Sequence, residues 1–496
     1  MRVKIFRFLF LVPAILVAFA SHSGAAEVSD KAMQDEIRAL KRMVLELQKR
    51  VRELEEGRAK SRMTVSPTTE TGEPGERKEI PVRPSRRKIK AEVKPPAEAR
   101  EPSVAKAGAK PPAPLEIGGH QVRVGIAGAI QLDAIHDFNA VGLTPGESLV
   151  REFVTAEIPV GGPAADNTNR TGFSPNQSYL SGWAETDTPW GPFKVYADVN
   201  LFGSSTGTEF QIYKAYGEWG WLKAGLDYTL WLNQTAIPDT LDFEGPNAAP
   251  EVRFTQASLK IPLRPGSKTQ DLFFTVGVED AQGDMTLPGG VGNITSVDQF
   301  PAVVGKVSYE PEWAHMELGG LYRRLKAEGT GYNQSIDGWG VTFSGSIDTW
   351  KNDNFIWGLE YGEALGAYMQ DTAGLGLDAA PTSPTDSTMK AISAFGAWAA
   401  YQHWWSKSFR STATYGFVRL DSDFDEFPNT SAQGTYKQTQ YASMNLIWSP
   451  WPPFDVGLEY MFGHRTITDR TAVYGSTTGQ NHRVQFTMRW NFDWER

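Results

Sequence analysis

The stretch SPWPPFDVGLEYMF (449–462) carries two signals that conflict at first sight. Ser449-Pro450-Trp451-Pro452-Pro453 is a proline-packed turn. Phe454, Val456, Leu458, Tyr460 and Phe462 then alternate with Asp455, Gly457 and Glu459. Strict alternation predicts a β-strand with one apolar and one polar face. Trp in the turn is the puzzle, because a turn in water has no use for an indole.

The same alternation recurs from 115 to the end. Val122, Val124, Ile126, Ile130 and Leu132 interleave with Gln121, Arg123, Gln131 and Asp133. Phe193, Val195, Ala197, Val199 and Leu201 interleave with Lys194, Tyr196, Asp198 and Asn200. Val484, Phe486, Met488, Trp490 and Phe492 interleave with Arg483, Gln485, Thr487, Arg489 and Asn491. The predicted strands are 121–138, 176–187, 193–202, 210–219, 222–231, 252–263, 270–280, 300–309, 314–325, 337–348, 355–365, 390–403, 409–420, 436–448, 454–465 and 482–492. Many reach the roughly 9–11 residues of a tilted bilayer crossing. The pattern blurs in the second, fourth, sixth and twelfth strands, where bulges or contacts with neighbouring subunits are expected.

Connections decide the class. The long links 139–175, 232–251, 281–299, 366–389, 421–435 and 466–481 all follow odd-numbered strands. Short turns such as Thr188-Pro189-Trp190-Gly191 and Glu310-Pro311-Glu312-Trp313 all follow even-numbered ones. One end of the sheet carries loops and the other tight turns, which predicts an all-β, 16-stranded antiparallel transmembrane β-barrel. Trp190, Trp219, Trp221, Trp313, Trp350, Trp404, Trp405, Trp448, Trp451, Trp490 and Trp494 fall at or near the short-turn ends. Indole prefers the membrane–water boundary, so the turn at 449–453 is read as sitting among headgroups. A soluble sandwich or propeller gives no reason for Trp to favour every second connection.

The 496 residues divide into four segments. Residues 1–26 read as an export signal, with a basic start, an apolar run from Phe8 to Ala20 and small residues at Ser23–Ala26. Residues 27–57 read as a coiled coil, with Met33, Ile37, Leu40, Val44, Leu47, Val51 and Leu54 at heptad spacing. Its β-branched a positions and Leu d positions lean towards a dimer. Residues 58–114 read as a disordered, Pro-rich linker of charge +7, suited either to an anionic polymer such as peptidoglycan or to plain solvation. Residues 115–496 form the predicted barrel and carry −18. These readings place the barrel in the outer membrane of a Gram-negative bacterium, with the N-terminal region in the periplasm.

A wide barrel turns its polar face to the lumen, which is expected to be an aqueous channel rather than a packed core. Inward alternation assigns Arg123, Lys194, Lys223, Arg323, Arg483 and Arg489 to the channel wall, with Arg253 beside them. The link 232–251 carries Asp239, Asp242 and Glu244. Folded inward, it would narrow the pore and set acids opposite arginines, whose forks suit carboxylates. Acidic loops, for example Asp421, Asp423, Asp425 and Glu426, are expected to reach lipopolysaccharide through divalent ions.

Three stretches, QLDAIHDF (131–138), AYGEWGWLKAG (215–225) and PDTLDFEGPN (238–247), give the chain a resemblance to the DcaP-like family of outer-membrane porins. The matched positions are Asp133, Tyr216, Glu218, Trp219, Asp242, Glu244 and Pro246. The resemblance covers 115–496 and extends to the exported coil and spacer. It implies a homotrimeric 16-stranded porin with an arginine-lined channel that favours small organic anions, notably dicarboxylates. Such barrels usually end on an aromatic residue, whereas the last residues here are Phe492-Asp493-Trp494-Glu495-Arg496, so the assembly signal is expected at Trp494 or Phe492.

Catalysis is not expected. Cysteine is absent, and no HExxH or G-x-S-x-G pattern occurs around His120, His136, His315, His403, His464 or His482. No cofactor, metal or nucleic-acid partner is implied. The rival reading is a structural tether, in which coil and linker grip the cell wall and the barrel is only an anchor.

Overall fold

The computed structural model describes residues 115–117, 120–142, 152–203, 208–265, 271–289, 293–383, 387–422 and 434–495. The signal, coil and linker read in 1–114 lie outside these residues, as do Asp423, Asp425 and Glu426. The sixteen staves are β1 (His120–Asp137), β2 (Tyr179–Thr188), β3 (Gly191–Asn200), β4 (Gln211–Trp219), β5 (Leu222–Tyr228), β6 (Arg253–Pro262), β7 (Leu272–Glu279) and β8 (Ala302–Tyr309). They continue as β9 (Ala314–Gly329), β10 (Tyr332–Asp348), β11 (Asn354–Glu363), β12 (Ser393–Ser406), β13 (Phe409–Leu420), β14 (Tyr436–Trp451), β15 (Phe454–Ile467) and β16 (Thr478–Glu495).

Each stave pairs antiparallel with the next, and β16 returns to β1. That seam runs from Gly125↔Glu495 to Asp137↔Arg483. A closed sheet leaves no open edge, so every stave can satisfy its backbone inside hydrocarbon. The sixteen predicted strands coincide with the sixteen staves, with shifted ends. β9 and β10 run further than the alternation suggested and meet in a tight hairpin at Thr330-Gly331. The blurred fourth and twelfth strands have a physical cause. The register slips between Asp198 and Val199 where β3 meets β4, and between Trp404 and Ser406 in β12.

Outward positions are apolar. Ile130, Leu318, Phe343, Leu359, Met444 and Leu458 are exposed on the outer wall. Trp190, Trp219, Trp221, Trp313, Trp350, Trp405, Trp448, Trp451, Trp490 and Trp494 are exposed at the short-turn end. A second aromatic level, with Tyr322, Trp339, Tyr361 and Tyr460, lies towards the loop end. From Trp339 to Trp350 the tilted strand rises roughly 28 Å, close to the height of an outward apolar band.

Arg introduced on the outer wall tests this orientation. Leu318→Arg should destabilise the folded barrel by about 2–4 kcal/mol, and Glu312→Arg at a short turn by about 1 kcal/mol or less. Denaturant titration in lipid vesicles reads both.

Candidate functional site

The chain between β5 and β6 enters the lumen and follows the inner wall. From Thr229 to Leu241 its contacts progress from β7 to β16, except that the Trp231 indole reaches ahead to β11. Thr229 donates to Glu279 of β7 at 2.8 Å, and the Leu230 amide donates to the same carboxylate. Lys306 of β8 donates to the Leu232 carbonyl at 3.1 Å. Asn233 donates to the Ser344 carbonyl of β10 at 3.3 Å, and the Trp231 indole to Glu360 of β11 at 2.7 Å. Trp398 of β12 donates to the Ala236 carbonyl at 2.7 Å. Arg410 of β13 holds Asp239 at 2.6 Å, and Asn445 of β14 caps its carbonyl at 2.8 Å. Glu459 of β15 accepts from the Leu241 and Asp242 amides, and Gln485 of β16 donates to the Leu241 carbonyl at 2.7 Å. A loop with no ladder of its own must find partners for its buried backbone, and here wall side chains supply them.

The lumen behind this loop is not a plain aqueous channel, which corrects the expectation from barrel width. Trp231, Phe243, Leu365, Tyr368, Met369 and Trp398 belong to one buried apolar cluster inside the barrel. The segment between β11 and β12 packs into it. Gln370 donates to the carbonyls of Glu244 and Pro246, both at 2.7 Å. Asp371 accepts from Thr155, Ala156, Tyr436 and Thr439 at 2.6–2.8 Å. Three inward segments therefore meet at one level: 152–158, 229–252 and 364–381.

The wall cations read from the sequence have distinct surroundings. Arg483 is fully buried and grips Asp137 with two bonds of 2.7 and 2.9 Å across the closing seam. Arg323 is buried and ties Asp378 at 2.9 Å, along with the carbonyls of Ala364, Ala281 and Gln282. Arg489 reaches Asp455 at 2.9 Å. Arg253 stacks 3.8 Å over the Tyr213 ring and donates to the Tyr213 carbonyl. These four act as staples in the wall.

Arg123, Lys194 and Lys223 are different. They retain solvent contact on the inner wall of β1, β3 and β5. Register sets Arg123, Glu185, Lys194, Glu218 and Lys223 side by side on five neighbouring staves. Arg123 pairs with Glu185 at 2.6 Å, and Lys223 with Glu218 at 3.7 Å and with Asp227. On β9 to β16 the inward side chains are mostly buried under the loops. The wall of β2 to β5 near the tight turns is where the interior stays open.

Of the loop acids, Asp239 meets a wall arginine directly, but that arginine is Arg410, which sequence reading did not select. Arg410 also lies 3.6 Å from Asp455, itself bound to Arg489, so four charges form one chain. Asp242 and Glu244 are buried, and Asp242 accepts from the Gly245 amide at 2.9 Å. Burial, followed by the charges of Asp242, Asp371, Glu152 and Glu251, pushes the Glu244 carboxyl well above its usual range. Burial and the nearby Asp378 push Asp284, in the segment after β7, up to about 7. Asp284 accepts from the Gly374 and Gly376 amides at 2.7 and 3.0 Å and so clasps two loops together. Among the described residues no cluster of His, Asp or Glu is arranged to hold a metal ion.

No protein-family model and no curated relative matches the chain. Solved structures do. The outer-membrane channel DcaP of Acinetobacter baumannii is 16% identical, with a TM-score of 0.61 over 77% of this chain and all of that one. The anion-selective porin of Comamonas acidovorans gives 11% identity and 0.44 over 75% of this chain and 99% of that one. OmpTdeltaL8 of Vibrio cholerae gives 9% and 0.44 over the same shares. The DcaP likeness establishes the barrel fold and agrees with the resemblance read from the sequence.

Two measurements check the interior. Glu459→Ala should speed hydrogen exchange at the Leu241 and Asp242 amides about 10–100-fold, since it removes the carboxyl oxygen that accepts both. The Asp284 clasp should respond to pH. Its carboxyl sits above its unfolded value, so its contribution is full below about pH 4. That contribution fades as pH rises through about 7. The stability of the folded barrel, read by denaturant titration, should therefore fall between pH 5 and 8, and Asp284→Asn should flatten that fall.

Proposed function

We propose that this chain is an outer-membrane porin of a Gram-negative bacterium that passes small hydrophilic solutes by diffusion. Organic anions such as dicarboxylates are included among those solutes. The carrying observation is a closed sixteen-stave barrel whose wall stays wet along β2 to β5 while loops fill the remainder. A purely structural anchor has no use for an open inner wall. Homotrimer assembly, contact with lipid and lipopolysaccharide, and a periplasmic coil and linker touching peptidoglycan belong to the same reading.

The surroundings of the cations favour a narrower set of anion contacts. Arg323, Arg483 and Arg489 are committed to wall carboxylates, whereas Arg123, Lys194 and Lys223 face the open lumen. The acids interleaved with those three cations keep the field weak, so affinity for a dianion is expected to be modest and salt-sensitive.

Planar-bilayer recording tests the reading. Discrete open-channel steps are expected from the full chain and from a form lacking 27–114, and silence would favour the tether. Lys194→Gln with Lys223→Gln should raise the half-blocking concentration of succinate about 3–10-fold. Arg483→Ser should act on stability instead, costing about 3–5 kcal/mol by leaving Asp137 buried without its cation, with the Asn481 amide as its remaining side-chain donor.

A further inference from the structure

Along the open inner wall the sign of charge alternates from stave to stave. Register sets Arg123, Glu185, Lys194, Glu218 and Lys223 side by side on β1 to β5. The outer members of this row have close partners. Arg123 donates to Glu185 at 2.6 Å, and Lys223 pairs with Asp227 four residues along its own stave. The Lys223 ammonium also lies 3.9 Å from the centre of the Tyr216 ring. Lys194 and Glu218 stand directly opposite one another on β3 and β4, yet make no ion pair with each other. The Lys194 ammonium lies 5.9 Å from the centre of Trp183, which is on β2 and so on the side away from Glu218. Among the described residues it meets no carboxylate. Glu218 approaches Lys223 at 3.7 Å, too long for a hydrogen bond, and its side chain is 37% exposed. One register pair thus turns an uncommitted cation and an uncommitted acid towards the open lumen.

We infer that Lys194 and Glu218 form a binding site for small zwitterions, amino acids whose ammonium and carboxylate stand about one stave spacing apart. This deepens the porin reading and rests on it, but adds a solute class to the organic anions. Spacing makes the choice. Unlike charges in the row are one stave apart, about 4.8 Å, and like charges two staves apart, about 9.6 Å. A four-carbon solute with a charge at each end spans the shorter distance and not the longer. A zwitterion of that length sets its carboxylate on Lys194 and its ammonium on Glu218, two charge-assisted contacts at once. A dicarboxylate that engages Lys194 brings its second charge against Glu185 or Glu218. A diamine on Glu218 brings its second charge against Lys194 or Lys223. Neither member of the wall pair gives up a hydrogen bond to take the solute, so little is subtracted from the gain. The wall there is wet, so each contact is screened, and the site loads weakly and releases readily, as conduction requires.

The test is current block in planar bilayers containing the full chain, with three solutes of matched length: 4-aminobutyrate, succinate and butane-1,4-diamine. Near pH 7 they differ chiefly in the signs at their two ends. The half-blocking concentration should be lowest for 4-aminobutyrate, by about 3-fold or more. Glu218→Gln should raise it about 3–10-fold while lowering that of succinate. Lys194→Gln should raise it by a similar factor while lowering that of the diamine. A merely structural role for the pair would move all three solutes in the same direction. The ranking on the parent chain needs no variant, so it stands as the test if either substitution prevents insertion. Open-channel steps with succinate or the diamine ranked first, or 4-aminobutyrate block indifferent to both substitutions, would overturn the zwitterion site and leave the porin intact. Absence of any steps would overturn both.

Discussion

Hydrocarbon offers no hydrogen bonds, and the architecture follows from that fact. A stave in the bilayer must pair along both edges, so the sheet closes, and β16 finds β1. Closure fixes which side chains look outward. Leu318, Phe343 and Leu359 meet lipid because their neighbours in sequence are committed to the interior. The seam carries its own staple, Arg483 on Asp137, where two buried charges share two hydrogen bonds. Isolated, either charge would be costly at that depth.

The same constraint recurs inside. The segment 229–252 has no strand partner, yet lies buried against the wall. It is held by acceptors and donors drawn from β7 round to β16. Its apolar residues then build a core in a place where a barrel was expected to hold water. The open space is displaced to one side, beside β2 to β5.

Much of the fold was legible because its signals are local. Alternation has a period of two, and the Trp residues mark one end of the strands, so all sixteen staves and the loop polarity could be read from neighbours in sequence. The interior was less legible. Inward parity identified Arg323, Arg483 and Arg489 as wall residues, but their carboxylate partners Asp378, Asp137 and Asp455 depend on register and loop path. Arg410 was visible as an inward charge in β13, and only the course of 229–252 reveals that Asp239 meets it. Glu459 stood in the alternating stretch 454–462 as an ordinary polar position. Nothing near it announces that it accepts two amides from a distant loop.

Coopers fit a hoop to a cask of known girth, and the inner segment 229–252 acts in that manner. From Thr229 to Leu241, the Trp231 indole excepted, its attachment points advance around the circumference as its own residues advance. A variant with one hairpin removed or duplicated would carry a hoop of the wrong length, its pegs out of step with their sockets. Strand number and hoop length are thus a matched pair, and evolutionary change in girth would have to alter both together.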